Sequence, residues 1–202
     1  MQVARNSASD EELLQLFLKG DEAAFVALMR RYKEPITTYT YRFLGNYDDA
    51  VDVAQETFVR LYRFGHSFVG EVKFSTWLYT IASNLARTEL KRYRRRNGVS
   101  LGEAFSVGED ESSWDIPDET YMPDELVDST RIAQDVQKAL LSISPSYREM
   151  VVLRDVQQLT YEEIAVITNT EMGTVKSRIN RGRAQLQVLL RSLYNEVFPS
   201  QE

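Results

Sequence analysis

The chain has 202 residues, 43% hydrophobic and 27% charged, which suits one large folded domain or two small ones and excludes a disulfide miniprotein or a wholly disordered chain. It has no cysteine and one histidine, His66, so zinc sites, thiol redox chemistry and cysteine nucleophiles lack ligands, and His66 lacks a companion for catalysis. The formal charge of -6 argues, as an average, against a polyanionic partner. There is no leader-like start and no window of the ~18 apolar residues a membrane span needs, so a cytoplasmic protein without membrane insertion or cofactor is expected.

In chain order, Ser9-Asp10-Glu11-Glu12 has capping-box spacing and predicts a helix with Leu13, Leu14, Phe17 and Leu18 on one face, ended by Gly20. A second helix starts near Asp21, with Phe25, Leu28, Met29 and Tyr32 at helical spacing. Pro35 marks a break or a fresh start, and a third helix reaches Leu44 before Gly45-Asn46 turns the chain. A fourth, from Asp48 to Phe64, places Val51, Ala54, Phe58, Leu61 and Tyr62 on its apolar side and leaves Asp49, Asp52, Gln55, Glu56 and Arg60 outside.

A glycine-flanked aromatic stretch, Phe64 to Gly70, leads into a fifth helix capped by Ser75 and burying Trp77, Leu78, Ile81 and Leu85. Asn84, Arg87, Lys91 and Arg94 fall at i, i+3, i+7 and i+10, predicting one polar strip beside the apolar one, with Arg92 and Arg95 adding to its charge. Aromatic side chains beside basic ones suit unstacked bases, worth ~1 to 3 kcal/mol per stacked base. Phe68 and this strip are therefore candidate contacts to single-stranded nucleic acid, while Phe74 and Trp77 read as core.

From Asn97 to Val127 there are nine acids and no base, so the rest of the chain is formally +3, and its cations are clustered. This stretch also holds Gly98, Gly102, Gly108, Pro117 and Pro123 and shows no sustained helical period, which reads as a flexible acidic linker. A flexible polyanion can also occupy a positive channel meant for nucleic acid.

Beyond it, Ile132, Val136, Leu140 and Ile143 predict a helix, and Ser144-Pro145 a cap with proline at the first position of the next. Met150-Val151-Val152-Leu153 is a short strand-like run in a helical context. Thr160-Tyr161-Glu162-Glu163 is a second capping box, opening a short helix through Ile167. After a turn at Thr168-Asn169-Thr170 a long helix starts at Glu171, giving helix-turn-helix spacing. Val175, Ile179, Gly182 and Leu186 share a narrow arc toward the core, while Thr174, Lys176, Ser177, Asn180, Arg181 and Arg183 point elsewhere and suit base edges and phosphates in a major groove. Arg178 lies nearer the core edge, as an ion-pair partner of Glu163. The expected fold is all-α: two small helical domains joined by the acidic linker, the second containing the helix-turn-helix.

These residues resemble the extracytoplasmic-function sigma factors of bacterial RNA polymerase. The resemblance runs through Gly20-Asp21-Glu22-Ala23-Ala24-Phe25, Asp52-Val53-Ala54-Gln55-Glu56-Thr57-Phe58, the stretch Phe74-Ser75-Thr76-Trp77-Leu78 to Asn84, Leu159-Thr160-Tyr161-Glu162-Glu163-Ile164-Ala165 and Gly173-Thr174-Val175-Lys176-Ser177-Arg178. It implies sigma domain 2 over 1–96, a linker over 97–128 and sigma domain 4 over 129–202. It further implies polymerase docking through Asp49, Asp52, Gln55, Glu56 and Arg60. The promoter -10 element would be captured and melted by Phe68, Asn84, Arg87, Lys91, Arg92, Arg94 and Arg95. Duplex -35 DNA would be read through Arg154, Thr174, Lys176, Ser177, Asn180, Arg181 and Arg183. Core RNA polymerase, promoter DNA and an anti-sigma factor are the implied partners, and no catalysis is implied. Gly182 departs from the alanine common in the family, at a cost of roughly 1 kcal/mol in helix propensity. The alternatives are a stand-alone helix-turn-helix regulator, which has no need of the second basic helix, and a nucleic-acid enzyme, for which no clustered acidic metal site is evident outside the linker.

Overall fold

The computed structural model describes residues 8–96 and 127–191; the acidic linker and the tail 192–202 lie outside the described residues, and so do the expectations for them. Eight α-helices and no strand occur among the described residues. They are α1 (Asp10–Leu18), α2 (Glu22–Leu44), α3 (Tyr47–Phe64) and α4 (Phe74–Arg96) before the linker. After it come α5 (Val127–Ser142), α6 (Pro145–Val151), α7 (Tyr161–Thr168) and α8 (Met172–Leu189). A 3-10 turn, Gly65–Ser67, follows α3, and α6 widens into a π turn, Val152–Val156, closed by the Gln157 N–H on the Val152 carbonyl at 3.0 Å. The strand-like run at Met150 is thus helical.

Local signals explain most of the boundaries. Ser9 and Thr160 form complete capping boxes with Glu12 and Glu163, each satisfying two otherwise orphaned N–H groups. Asp21 and Asn46 cap α2 and α3, and Gly45, at φ +85°, ends α2 in the left-handed region that favours glycine. Two boundaries differ from expectation. Pro35 sits inside a continuous α2, because Ile36, Tyr39 and Phe43 beyond it are fully buried and hold the helix on its course. Ser75 does not cap α4; the first N–H, at Phe74, donates instead to the Glu11 carboxylate on α1 at 3.1 Å.

The helices before and after the linker share one core: Tyr39, Phe74, Leu78, Tyr79 and Ala82 are buried in the same cluster as Val152, Leu153, Leu159 and Ile164. A polar seam reinforces it. Glu149 on α6, 3% exposed, accepts from the Tyr39 hydroxyl (3.1 Å), the Ser83 hydroxyl (2.6 Å) and Arg87 Nε (3.0 Å to each carboxylate oxygen). Its neighbour Arg148, equally buried, donates to the carbonyls of Leu140, Leu141 and Ile143 on its own side and of Phe43 across the seam. Burial, and then the charge of Arg94, pull the Arg148 guanidinium down to about 9, so it is still charged at neutral pH. The Tyr79 hydroxyl donates to Gln157 and the Lys73 ammonium to Glu163.

Close approach uses glycine twice. A Cβ on Gly45 would stand 2.7 Å from the Leu141 methyls across the seam, and one on Gly182 would stand 2.7 Å from Val151 Cγ2 and 3.3 Å from Tyr147 Cβ. Gly182 lets α8 sit against α6, which gives its lost helix propensity a use.

Two outcomes are expected. Glu149→Gln keeps an acceptor but leaves Arg87 facing no charge, and should lower unfolding free energy by about 1 to 3 kcal/mol and raise the radius of gyration in small-angle scattering; an unchanged urea midpoint and scattering curve would exclude this role for the seam. In Gly182→Ala the methyl overlap outweighs the propensity gain, for a net loss of about 1 kcal/mol; a variant more stable than the parent in the same titration would show that α6 and α8 can separate freely.

Candidate nucleic-acid interface

The helix-turn-helix is built from its ends inward. The Thr160 hydroxyl accepts from the Glu163 N–H at 3.2 Å, and the Glu163 carboxylate accepts from the Thr160 N–H at 2.8 Å, which fixes the start of α7. Asn169, at φ +48°, ends it in the left-handed region that asparagine tolerates, and Glu171 starts the second helix. Ile164, Ile167, Val175 and Ile179 are buried between the two helices and α6, so the facing of α8 follows from its apolar period.

On the opposite side of α8, Lys176, Ser177, Asn180, Arg181 and Arg183 are exposed and Thr174 is half-buried. Four polar or cationic side chains therefore project from the first three turns of one helix, as major-groove reading requires, and Arg183 opens the fourth. Arg183 is not simply solvated: it forms an ion pair with Asp155 of the π turn. Asp155, and to a lesser degree the Tyr161 phenol, favour its charged form. Arg154 is half-buried beside α7, donating to the Leu159 carbonyl at 2.7 Å. Arg178 is half-buried at the core edge, but the partner expected for it is engaged elsewhere. Burial opposes the charge of Glu163, yet Lys73 and the Thr160 N–H hold its carboxyl below the usual range.

The strip on α4 is narrower than its spacing suggests. Asn84, Lys91, Arg92 and Arg95 are exposed, whereas Arg94 is buried, 4% exposed, and Arg87 is half-buried against Glu149. The correction is one of helical phase: at 100° per residue Arg87 and Arg94 lie about 60° and 80° round from Asn84, on the side of Ser83 and Leu90, whereas Lys91 lies within about 20° of it. Ser83 and Leu90 are themselves buried, and Ser83 borders the second half of the molecule. Arg92 and Arg96 share Glu89, at 3.3 and 3.0 Å. Phe68, ahead of this helix, is half-buried, its ring 6.0 Å from Phe74 and 5.6 Å from Trp77, with Val69 the exposed tip beside it. Phe74 itself is fully buried and belongs to the core.

The five acidic and polar candidates of α3 do not share one face. Asp49, Asp52, Glu56 and Arg60 line a groove against α4, bordered by Glu89, while Gln55 lies on the other flank in an apolar groove against α2. Burial, and then the nearby Glu89 charge, raise the Asp49 carboxyl. The apolar groove is a feature that periodicity concealed. Tyr62, expected inside, is 55% exposed there, along with Tyr47 and Val59. The signal available was the breadth of the apolar arc on α3, which is wider than one buried face needs. Among the described residues no group of three or more His, Cys, Asp or Glu side chains could hold a metal ion.

Comparison with known proteins covers both halves. The family model for sigma-70 region 2 matches residues 28–96, and that for sigma-70 region 4 matches residues 133–186. The chain is 37% identical to the ECF RNA polymerase sigma factor SigW of Bacillus subtilis over 175 residues, covering 87% of this chain and 93% of that one. It is 36% identical to the ECF RNA polymerase sigma-E factor of Escherichia coli K12, covering 87% and 91%. Among solved structures, the sigma factor RpoE of Bartonella quintana, in complex with the anti-sigma factor NepR, superposes with a TM-score of 0.63 at 26% identity, covering 83% and 96%. CnrH, in complex with the cytosolic domain of CnrY, shares the fold, with a TM-score of 0.64 at 24% identity, covering 92% and 99%. With both regions matched in order, and relatives of more than a third identity aligned over almost their whole length, the chain belongs to the ECF sigma factors of RNA polymerase.

Proposed function

We propose that this sigma factor divides its work between two cationic surfaces, α8 for the -35 element as duplex and the Phe68 loop with α4 for the -10 element. As a member of its family the chain directs promoter-specific initiation by RNA polymerase, binding core enzyme and promoter DNA. The proposed division runs 1–96 for polymerase clamp and -10 contacts, 97–128 for the linker and 129–202 for the -35 contact. The observation that carries it is the outward row Lys176, Ser177, Asn180 and Arg181 on the second helix of a capped helix-turn-helix. A stand-alone regulator would account for that row but not for the exposed Asn84, Lys91, Arg92 and Arg95 on a second helix.

Within the -10 surface, Asn84, Lys91, Arg92 and Arg95 meet the strand directly. Phe68 supports a flipped base from a half-buried position, replacing part of its lost stacking. Arg87 joins them only when Glu149 releases it, and buried Arg94 acts from beneath the surface. Thr174, Lys176, Ser177, Asn180 and Arg181 contact -35 DNA from α8, with Arg154 and Arg183 at the edges. Polymerase docks across α3, with Asp49, Asp52, Glu56 and Arg60 on one flank and Gln55 among exposed aromatic side chains on the other. An anti-sigma factor that covers these surfaces is the second protein partner, as the similar sigma factor RpoE is in complex with the anti-sigma factor NepR. The factor works in the cytoplasm and carries no catalytic activity of its own; no helix among the described residues is long and apolar enough to cross a membrane.

Holoenzyme made from this chain and core polymerase should initiate at promoters that core alone ignores in a genome-wide run-off assay; silence across the genome would overturn the assignment of function. Lys176→Ala with Arg181→Ala should weaken upstream footprinting by roughly 10- to 100-fold, the loss of one to two base or phosphate contacts, and an intact -35 footprint would refute that role. Phe68→Ala and Asn84→Ala should reduce permanganate reactivity of the melted strand while closed binding persists. Melting equal to wild type in both would remove the -10 surface from α4.

A further inference from the structure

We infer that Tyr161 is a positioning residue for -35 recognition: its ring gathers cations from separate helical segments and orders them before DNA arrives. The inference deepens, and rests on, the reading of α8 as the -35 surface. Tyr161 opens α7, the helix that does not enter the groove in a helix-turn-helix. Its ring lies under the Arg154 guanidinium, with 5.0 Å from Cζ to the ring centroid, and within 5.9 Å of the Lys176 ammonium on α8. Both lie within the range of a cation–π contact.

Arg154 and the ring are also held from a second side. Arg154 donates to the Leu159 carbonyl at 2.7 Å, and the ring itself is half-buried and packed against the core. Arg183 is fixed by Asp155, next to Arg154 in the π turn. The π turn, α7 and α8 thus meet at one aromatic side chain. Two of the seven residues assigned to -35 DNA, Arg154 and Lys176, are arranged around it, although Tyr161 carries no charge to offer a phosphate.

The physical reason for such a platform is entropy. Lysine and arginine lose more rotamer freedom than most side chains when they are fixed on a ligand, and a side chain already restrained over a ring loses less at the moment of binding. Cation–π attraction leaves the ammonium and guanidinium N–H groups directed outward, able to meet phosphate oxygens without first breaking an ion pair. Tyr161 therefore raises affinity while making few demands on which base is read.

The test uses holoenzyme on a promoter duplex obtained from the run-off set, with the upstream element intact or scrambled, and measures affinity against salt concentration. Tyr161→Leu should weaken binding to the intact duplex by about five- to thirty-fold, as the loss of two exposed cation–π contacts implies, and should flatten the salt dependence by about one to two phosphate contacts. Tyr161→Phe keeps the ring face and should stay within about two-fold of wild type. In a double-mutant cycle, Lys176→Met should cost less in the Tyr161→Leu background than in wild type, because the ring acts through Lys176. Tyr161→Met is run beside Tyr161→Leu, with thermal melting of each, so that a folding defect in one does not decide the result. The inference is overturned by wild-type affinity and salt slope in both apolar variants, by Tyr161→Phe losing as much as Tyr161→Leu, or by fully additive losses in the cycle. A wild-type holoenzyme indifferent to scrambling of the upstream element overturns the -35 reading itself, and this inference with it.

Discussion

Arg148 and Glu149 stand side by side on α6 and carry opposite charges into the same buried seam, and the arrangement of the molecule depends on how each is satisfied. Taking one ion from water costs several kcal/mol, repaid only when its donors or lone pairs find good partners. Arg148 meets this condition with four carbonyl oxygens, those of Leu140 and Leu141 at the end of α5, of Ile143 just after it, and of Phe43 at the end of α2. These are carbonyls that the ends of α2 and α5 would otherwise leave unpaired. Glu149 meets it with two hydroxyls and a guanidinium, all from the helices before the linker. One residue closes the backbone of the seam and the other its side chains.

This seam determines which cations face solvent. α7 packs on α4 and the π turn on α2, so the inner edge of α4, with Ser83, Arg87 and Arg94, turns toward protein, while Asn84 and Lys91 remain outside. α8 lies on the far side of α7 and α6, and its Lys176 face is untouched by the seam. The two proposed DNA surfaces are therefore unequal in the arrangement seen here: the -35 face exposes Lys176, Ser177, Asn180 and Arg181, whereas the -10 face has Arg87 engaged by a carboxylate of the other half and Arg94 buried. A carboxylate bound to a guanidinium through both oxygens resembles, in charge and geometry, the phosphate that the same guanidinium would meet in DNA.

Much of this was legible where the signal is local. The capping boxes at Ser9 and Thr160 are four-residue statements, and both form as read. The facing of α8 follows from Val175, Ile179, Gly182 and Leu186 alone. What escaped depends on distant partners. The cap of α4 comes from Glu11, far back in the chain, so Ser75 offered a false cue. Continuity through Pro35 reflects buried neighbours that offset a missing hydrogen bond. Arg87 and Arg94 turn inward because a second helical unit lies there, and periodicity within α4 has no knowledge of it. Tyr62 looked like core because it is apolar, whereas exposure of an aromatic row is a statement about a partner. The assignments of individual residues to DNA or polymerase rest on the resemblance and on placement, and Tyr161 escaped notice because its role is in contacts with charges rather than in carrying one.

The π turn at Val152–Val156 has a consequence for chain length. A helix that widens by one residue for a single turn is equivalent to an ordinary α-helix with one amino acid inserted. Because the wider turn absorbs that extra residue, removing one residue from it would restore regular α geometry and leave the azimuth of the flanking chain nearly unchanged. What would be lost is the bulge itself, and with it the positions from which Arg154 reaches the Tyr161 ring and Asp155 reaches Arg183. A deletion at this point displaces both groups at once, without either side chain being changed.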